Sequence, residues 1–418
     1  MYNVEKMAAL KDEMFKNVTE NILPFWCTYM EDDVNGGFYG RVDKDLHPDP
    51  TAPKSAVLNT RMLWAYSNAY EVLRDEKCKA LAKRSFEYLR DYFWDDVYGG
   101  IYWTVGPKGD PFDMVKRTYA QASIIYSMSQ YYAASKDPQA LEMALKAYEL
   151  VLKHAKYDNG GYADSVHRNW SYDPWIMKWY MNSNGAPKLL NSHLHLFEGM
   201  TLLFKVTKRE DIKAELREFL EFLLNTCVDY NVYHLKAGMD MDGKRIDNEI
   251  SFGHDLECAY LMVDAAQQLD DAKLVDRTHD TVLKITRQVL EEGMDTQNGG
   301  IFYERDIETG HYSKSKIWWA QCEAITGFLC AYELSEDEKF LDMALNIWNY
   351  VDKHIVDHEK GEWKAIGTND VVDDDITASD LAFFEVVGDE KANKTKCPYH
   401  NSRVCLEVYK RVNRMSKQ

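Results

Sequence analysis

The turn NGGFYG, residues 35–40, is the first of five glycine-rich turns that recur along the chain at a regular spacing. The others are YGGIYW (98–103), NGGYAD (159–164), NGGIFY (298–303) and the degraded form KGEWKA (360–365). Their first glycines are residues 36, 99, 160, 299 and 361, so neighbouring turns lie about 60 residues apart, and the longer gap leaves room for a weaker turn near residues 237–239. A repeat of this length predicts a chain built from six equivalent units.

Between the turns, apolar residues recur with the period of amphipathic helices, two per unit. The predicted helices are residues 4–30, 55–74, 76–93, 114–135, 137–155, 187–207, 210–227, 249–269, 272–293, 315–334, 336–355 and 398–415. Short connections make the helices of a unit antiparallel neighbours, and units that close into a ring bury one another. The sequence therefore predicts an all-α fold, an (α/α)6 barrel with the second helix of each unit inside and small hairpins at one mouth. No linker interrupts the repeat, so we expect residues 1–418 to form a single catalytic domain.

The composition narrows the classes of partner. Lys and Arg total 50 against 68 Asp and Glu, and the resulting net charge of -18 repels nucleic acid and anionic membranes. No apolar run approaches the roughly 20 residues that span a bilayer, and the amphipathic start, MYNVEKMAALKDEMFK, lacks the apolar core of a signal peptide. The eight cysteines include no CxxC pair and are expected to be free thiols. We expect a cytoplasmic protein, a monomer or weak dimer, that binds neither nucleic acid nor membrane.

Polar residues stand in the stretch SFGHDLECAY, residues 251–260, where an inner helix would be apolar. His254 and Glu257 are three residues apart on one helix face, so as an isolated pair they would be expected to satisfy each other's hydrogen bonds. The other five inner helices, however, place polar or aromatic residues at the same depth. These are Arg61; Tyr119; Asn191, His195 and Glu198; Trp319 and Glu323; and His400. The six helices together predict a pocket at one mouth of the barrel.

Two prolines guide the placement of the third and sixth inner helices. Pro187 and Pro398 are each expected at the first helical position, which puts His400 in the first turn of its helix. The helix macrodipole disfavours added positive charge there, so the imidazole of His400 should be neutral. His193 points away from the face that carries His195 and is expected to be a structural histidine with satisfied hydrogen bonds.

The residue types in this pocket predict proton transfer at carbon. Trp319 provides an aromatic platform for a sugar, and Arg61 can stabilise an oxyanion. A neutral imidazole can act as a base. If His254 and His400 face each other across the pocket, one can remove a proton from one side of a carbon while the other returns it to the opposite side. The expected outcome is inversion of that centre in a small carbohydrate.

Five motifs carry a resemblance to a known family. NTRMLWAY with Arg61, NSHLHLFE (191–198), SFGHDLE (251–257), WWAQCEA (318–324) and CPYHNSR (397–403) resemble the N-acylglucosamine 2-epimerase superfamily, and within it the cellobiose 2-epimerase group. The resemblance implies interconversion of glucose and mannose units at the reducing end of a β-1,4-linked disaccharide through ring opening and a cis-enediolate. It implies no cofactor, neither a metal nor a nucleotide.

The resemblance also implies a role for each candidate residue. His254 and His400 form the acid/base pair at C2, and His195 assists near the ring oxygen or hydroxyls. Glu257 and Glu323 orient the histidines. The residues implied to hold the sugar are Arg61, Tyr119, Asn191 and Trp319.

Two positions depart from the pattern of cellobiose 2-epimerases. Tyr260, which we also assign to substrate binding, stands where that group usually has a tryptophan, three residues after the glutamate of HDxE. Thr395 stands where the group usually has a second tryptophan, which by resemblance stacks on the distal sugar ring. Loss of such a face removes roughly 1 kcal/mol of aromatic contact. A mannose or mannobiose 2-epimerase, or an aldose–ketose isomerase of the same superfamily, therefore stays open.

Three other interpretations compete with an epimerase. An inverting glycoside hydrolase on the same barrel needs two carboxylates about 6.5 to 9.5 Å apart, for which Asp255, Glu257, Glu323 and Asp164 are candidates. The excess of histidine argues against it. A metal site would draw on His193, His195, His254 and Glu257, although no cysteine joins them. A non-enzymatic ring that binds sugar or protein predicts binding without turnover.

Overall fold

The structure is a computed structural model that describes residues 2–173, 185–367 and 388–417. Twelve helices, α1–α12, dominate the described part of the chain. The first is residues 4–29, in which the α-helical segments Val4–Asn17 and Leu23–Tyr29 flank a π-helical turn, Val18–Ile22. The others are α2 Ala56–Leu73, α3 Glu76–Tyr88, α4 Thr118–Ser135, α5 Pro138–His154, α6 Leu190–Thr207, α7 Glu210–Phe222, α8 Phe252–Ala266, α9 Ala272–Glu292, α10 Trp318–Ser335, α11 Glu338–His354 and α12 Tyr399–Met415. Helices α3 and α7 each continue into a π-helical turn, Leu89–Phe93 and Leu223–Cys227.

The even-numbered helices form an inner ring. Each packs against the next even-numbered helix, and α12 packs back against α2, which closes the ring. The odd-numbered helices lie outside, each beside the inner helix that precedes it in the chain, except that α1 packs against α12. The predicted (α/α)6 barrel is confirmed, and its last inner helix takes its outer partner from the other end of the chain.

Burial separates the two rings. From Ala56 to Ala69 every residue of α2 is buried, whereas α9 buries one face and exposes the other. A helix that is covered on all sides belongs to a core, and an amphipathic one to a surface. Throughout residues 2–173, 185–367 and 388–417, helices with the length and apolar character to cross a bilayer are absent.

Short antiparallel strands lie in the loops that connect outer helices to the next inner ones, and several of them pair with a strand in the loop of a neighbouring unit. The strands are β1 Lys54–Ser55, β2 Thr104–Val105, β3 Pro111–Asp113, β4 Lys116–Arg117, β5 Ser165–Val166, β6 Lys188–Leu189, β7 Val228–Asp229, β8 His234–Leu235, β9 Gly238–Met239, β10 Glu249–Ser251, β11 Glu304–Asp306 and β12 Tyr312–Ser313. They pair in the orders β1-β2-β3, β10-β11-β12, β4-β5, β6-β9 and β7-β8. Five bridges close the five glycine turns, namely Glu31–Phe38, Trp94–Ile101, Lys156–Tyr162, Met294–Ile301 and Val356–Trp363. In the first turn, Gly36 and Gly37 have φ of 80° and 63°, a conformation that glycine adopts without strain.

The predicted position of the turn in the fourth unit was wrong. Residues 237–239 do not form a glycine turn, because Gly238 and Met239 pair as strand β9 with Leu189 and Lys188. The tight turn of this unit lies between β7 and β8, where Tyr233 takes a positive φ of 53°. The signal was missed because the turn contains no glycine.

The starts of several inner helices were also predicted too early. Helices α4, α6, α8 and α10 begin three or four residues after the predicted starts, because the preceding residues pair as strands or bridges. Pro187 consequently precedes strand β6, and Pro398 is the N-cap of α12. Neither proline occupies the first helical position, although His400 does lie in the first turn.

A buried lysine pairs with a buried aspartate beneath several glycine turns. In the second unit, Lys116 lies 3.1 Å from Asp95, whose other oxygen accepts hydrogen bonds from the backbone of Val97 and Tyr98. Equivalent pairs join Lys54 to Asp32 at 2.9 Å and Lys316 to Asp295 at 2.8 Å. Each lysine stands two residues before an inner helix, so the pair fastens the turn to the start of that helix.

We predict that Asp95→Asn destabilises the protein by about 3–5 kcal/mol, because Lys116 is left as an unpaired buried charge. The measurement is the urea midpoint and m value at neutral pH. Asp96→Asn, at the exposed neighbouring position, is the matched control and should change little. Lys116→Met in the Asp95→Asn background should restore part of the lost stability. Equal midpoints for Asp95→Asn and Asp96→Asn would contradict the proposed function of the pair in stability.

Candidate active site

The inner helices present their candidate residues in a regular register. Most of these residues occupy the second or the sixth position of an inner helix, one helical turn apart on the face toward the barrel axis. They are Arg61 of α2, Tyr119 of α4, Asn191 and His195 of α6, Glu257 of α8, Trp319 and Glu323 of α10, and His400 of α12. His254 instead occupies the third position of α8. The second position is Gly253, where a Cβ atom would lie 2.7 Å from the ring of Trp319. The glycine therefore makes room for the tryptophan.

A cavity of about 210 Å³ opens at this end of the barrel. Its lining includes eight of the ten predicted site residues, namely Arg61, Tyr119, Asn191, His195, His254, Glu257, Trp319 and His400. The structure brings these eight together from all six inner helices. Thr395, which the resemblance places beside the distal sugar ring, also lines the cavity, together with Tyr303 and Trp318, which were not predicted to do so.

His400 is held from behind by a carboxylate. Its Nδ1 lies 2.6 Å from Oε1 of Glu323, whose other oxygen accepts a hydrogen bond of 2.7 Å from the hydroxyl of Tyr260. Since Nδ1 donates to this carboxylate, the Nε2 atom of His400 is the one left to act on a ligand.

His254 is held by a hydroxyl instead. Its Nδ1 lies 2.8 Å from Oγ of Ser251, and its ring centroid is 4.6 Å from that of Trp319. His400 packs against the same indole at a centroid distance of 5.9 Å. Glu257 pairs with Arg403, so the hydrogen bond with His254 that an isolated pair would form is absent, and no hydrogen bond from Glu257 to a histidine is seen among the described residues. The two imidazoles therefore line one cavity. Trp319 belongs to α10, which lies between the two helices that carry them, α8 and α12.

His195 and Arg61 form a second pair in the cavity wall. Nη2 of Arg61 donates to Nε2 of His195 at 3.1 Å, and Nδ1 of His195 donates to Glu198 at 3.2 Å. Nε of Arg61 donates to the hydroxyl of Tyr126 at 3.1 Å, and the guanidinium lies 4.4 Å above the ring of Tyr399. Both ring nitrogens of His195 are engaged, so this histidine holds the guanidinium of Arg61 in place.

Arg403 lies beneath the cavity at the centre of three carboxylates. It contacts Glu198 at 3.1 Å and Glu323 at 2.8 Å, and it also donates to Glu257. All four side chains are buried. Buried carboxylates at this depth need such a partner, because an unpaired charge in the interior is costly. This role of Arg403 was not predicted, although the residue stands in the motif CPYHNSR, three residues after His400.

Burial keeps the histidines neutral. Desolvation lowers the pKa of His254, and it lowers the pKa values of His195 and His400 well below the usual range. Burial raises the pKa of the Glu323 carboxyl, while the nearby Arg403 opposes that shift. The neutral state predicted for His400 from its position near a helix N-terminus agrees with these directions, but burial is the larger cause.

Two predicted residues support the site from outside the cavity lining. Glu323 contacts His400 and fits its predicted orienting role. Tyr260 was predicted to bind the substrate, but its hydroxyl donates to Glu323 and its ring lies 5.6 Å from the Arg403 guanidinium. The buried Tyr260 is therefore placed to support Glu323 rather than to touch a sugar.

The fourth position of an inner helix fastens the preceding hairpin. His193 accepts from the backbone N–H of Tyr162 at 2.9 Å and contacts the carbonyl of Leu189, which agrees with its predicted structural role. Asp255 likewise binds the backbone N–H of Leu235 and the ring of His234. Gln121 and Gln321 at the same position clamp Ile101 and Ile301.

The donor groups fit a metal ion poorly. Glu257, Glu323 and His400 approach each other closely enough to share an ion, but both glutamates already contact the guanidinium of Arg403. A fixed positive charge at this point repels a divalent cation. The metal set considered from the sequence is dispersed, because His193 faces a hairpin and His195 binds Arg61 and Glu198.

Comparison with known proteins identifies the relatives of this chain. The sequence model of the N-acylglucosamine 2-epimerase (GlcNAc 2-epimerase) family matches residues 37–388. The cellobiose 2-epimerase of Bacteroides fragilis is 34% identical over 405 residues, which cover 96% of this chain and 98% of that protein.

Two solved structures share the fold over nearly their whole length. A sugar epimerase from a ruminal bacterium superimposes with a TM-score of 0.87 at 33% identity, covering 96% of this chain and 98% of the other. The cellobiose 2-epimerase of Bacillus thermoamylovorans gives a TM-score of 0.86 at 31% identity, with 97% and 100% covered. The chain belongs to the N-acylglucosamine 2-epimerase family of sugar epimerases.

Proposed function

We propose that this isomerase inverts C2 of a glucose or mannose unit at the reducing end of a small carbohydrate, as the names of its cellobiose 2-epimerase relatives suggest. The observation that carries the proposal is the pair of neutral imidazoles, His254 and His400, which line one cavity and pack against the same indole. Each is held through Nδ1, so each offers Nε2 to the ligand.

The first chemical step is removal of the C2 proton from the opened sugar. The C2–H bond breaks, the proton moves to Nε2 of one imidazole, and the electron pair forms the C1–C2 double bond of a cis-enediolate. The opposite imidazole takes up a proton from water on Nε2 once the enediolate charge has formed and returns it to the other face of C2, and the first imidazole then releases the abstracted proton to solvent. Because the incoming proton derives from solvent, every inversion exchanges the hydrogen at C2.

The negative charge that develops on the enediolate oxygens needs a fixed positive partner. Arg61 is buried and lines the cavity, and its contacts with Tyr126 and His195 hold it before the substrate binds. A preorganised guanidinium stabilises such an oxyanion more strongly than water does in a site closed to solvent. We assign Arg61 to this role and His195, whose ring nitrogens contact Arg61 and Glu198, to the support of Arg61.

The remaining wall suits a neutral sugar ring. Asn191 Oδ1 and Glu257 Oε2 are buried acceptors without a hydrogen-bond partner among the described residues, so hydroxyl groups of the sugar can donate to them. Tyr119 and Trp319 provide aromatic faces. Thr395 also lines the cavity, which supports the expectation that the contact with a distal ring is weaker here than in enzymes with tryptophan at this position.

The chain as a whole forms the catalytic unit in this proposal. Residues 1–418 act as one domain in this proposal, because the inner ring closes only when α12 packs between α10 and α2. All eight cysteines are free thiols, which fits the proposed cytoplasmic location. The proposed state is a monomer or weak dimer without nucleic-acid partners.

The carboxylates of the site do not favour the hydrolase alternative. Glu257 lines the cavity, but Glu323 lies behind His400, and Asp255 is bound to a hairpin. Asp164 contacts Ser192, Ser165 and Arg117. Hydrolysis by inversion needs two carboxylates facing one water, and these positions do not provide them.

We predict that His254→Asn and His400→Asn each abolish incorporation of deuterium at C2 when the reaction runs in deuterated water. Loss of an acid or base lowers the rate by about 10² to 10⁴. Proton NMR of the product measures the exchange. The control is His358→Asn, at an exposed position. A variant that turns over sugar at the normal rate would show that its histidine is neither the acid nor the base.

We predict that kcat/KM stays constant as the pH falls to about 6.5 and declines only below it. The base must be neutral, and burial lowers the pKa of both imidazoles from the ordinary value near 6.5. A pH–rate profile with buffers of constant ionic strength measures the acid limb. A limb centred above pH 7 would contradict the neutral histidines.

We predict that Thr395→Trp lowers the KM for cellobiose by roughly fivefold and leaves the KM for free mannose unchanged. The added ring supplies about 1 kcal/mol of stacking on the distal sugar. Assays with cellobiose, mannobiose and mannose side by side measure the preference. Formation of a ketose product in these assays would favour the aldose–ketose isomerase instead, and an equal change for all three sugars would reject a distal contact.

A further inference from the structure

We propose that Ser251 is the positioning residue of His254, and that its hydroxyl makes the two halves of the C2 inversion chemically unequal. The inference rests on the proposed function. Ser251 is buried at the end of strand β10, and its Oγ lies 2.8 Å from Nδ1 of His254. This contact selects the ring rotamer that leaves Nε2 for the cavity.

The hydroxyl of Ser251 is diverted from the ordinary task of a serine at its position. Ser251 is the N-cap of α8, where a serine oxygen usually accepts a hydrogen bond from a backbone N–H of the first turn. Here it makes no such cap bond and contacts the side chain of the third helical residue instead. The first turn of α8 therefore lacks a side-chain capping hydrogen bond, and the hydroxyl contacts the imidazole instead.

The equivalent residue of the first unit shows the ordinary arrangement. Ser55 ends strand β1 and is the N-cap of α2. Its Oγ accepts from the backbone N–H of Leu58 at 3.1 Å and donates to the carbonyl of Lys394 at 2.8 Å. Ser55 and Ser251 thus occupy matching places in two repeats, and only Ser251 holds a ring of the active site.

The partners of the two imidazoles differ in kind. His400 donates through Nδ1 to the carboxylate of Glu323, which can only accept while ionised. A serine hydroxyl can both accept and donate, carries no charge, and has a single rotor. Removal of the Ser251 hydroxyl should therefore disturb the step served by His254 and leave the step served by His400 intact.

Substrate deuterium isotope effects separate the two steps. The epimers labelled with deuterium at C2 are each converted by the wild-type protein and by Ser251→Ala. For the epimer whose C2–H faces His254, slowing this histidine makes cleavage of the labelled bond limiting, and the isotope effect on kcat rises. For the other epimer His400 cleaves the labelled bond, the return of a solvent proton by His254 becomes limiting, and the isotope effect falls. We expect Ser251→Ala to raise the isotope effect for one epimer and to lower it for the other, together with a roughly tenfold loss of kcat.

Ser55→Ala is the matched control. It removes a helix cap, so it should lower the melting temperature while leaving both isotope effects at their wild-type values. Ser251→Ala should change both isotope effects and leave the melting temperature near its wild-type value. Ser251→Thr keeps the hydroxyl and should give the wild-type isotope effects. If Ser251→Ala does not fold, Ser251→Cys, which has the same shape and a weaker hydrogen-bonding group, should show the same change at smaller size.

Each result has one meaning for the proposal. Isotope effects that move in the same direction for both epimers, or Ser251→Ala at wild-type kcat, would overturn the role of Ser251. Failure of the wild-type protein to incorporate solvent deuterium at C2 would overturn the proposed function itself. The two failures are therefore distinguishable in one set of measurements.

Discussion

Buried lysine–aspartate pairs hold the glycine turns to the starts of the inner helices, and the position of the site depends on them. Lys54, Lys116 and Lys316 each stand two residues before an inner helix and reach an aspartate in a turn. A buried ion pair tolerates little displacement, because separation leaves two charges in a medium that solvates them poorly. The pairs therefore fix the residues at which α2, α4 and α10 begin. A common starting level brings the second and sixth residues of six helices into one layer.

Electrostatic balance decides which groups in that layer can react. Arg403 neutralises part of the charge of Glu198, Glu257 and Glu323, and of these carboxylates Glu198 contacts His195 and Glu323 contacts His400. Burial favours uncharged imidazoles throughout the site, whereas the guanidinium groups stay charged at any accessible pH. The interior thus separates permanent charge, carried by arginine, from groups that can exchange a proton. That separation suits the proposed proton transfer at C2, the carbon next to the carbonyl of the opened sugar.

The helices and most of the cavity lining were predictable, because helical periodicity and the glycine repeat both survive in the sequence. The turn of the fourth unit was not, since Tyr233 replaces the glycine that marks the others. The direction of the Tyr260 side chain, one helical turn after Glu257 on α8, was also not predicted. Tyr260 has the same aromatic character whether it stacks on a sugar or bonds Glu323, and only the packing of α8 against α10 decides between them. Arg403 was missed because its three partners come from three distant helices.

The closure of the ring by α12 has a consequence for synthesis of the protein. His400 and Arg403 both lie on α12, which docks between α10 and α2 in the inner ring and packs against α1. Until α12 has left the ribosome, three glutamates lack Arg403 and Arg61 lacks the ring of Tyr399, and a cleft stands where α12 will dock. A nascent chain without α12 therefore lacks two residues of the proposed site. It also exposes the apolar faces that α12 covers, at a stage when chaperones commonly protect such surfaces.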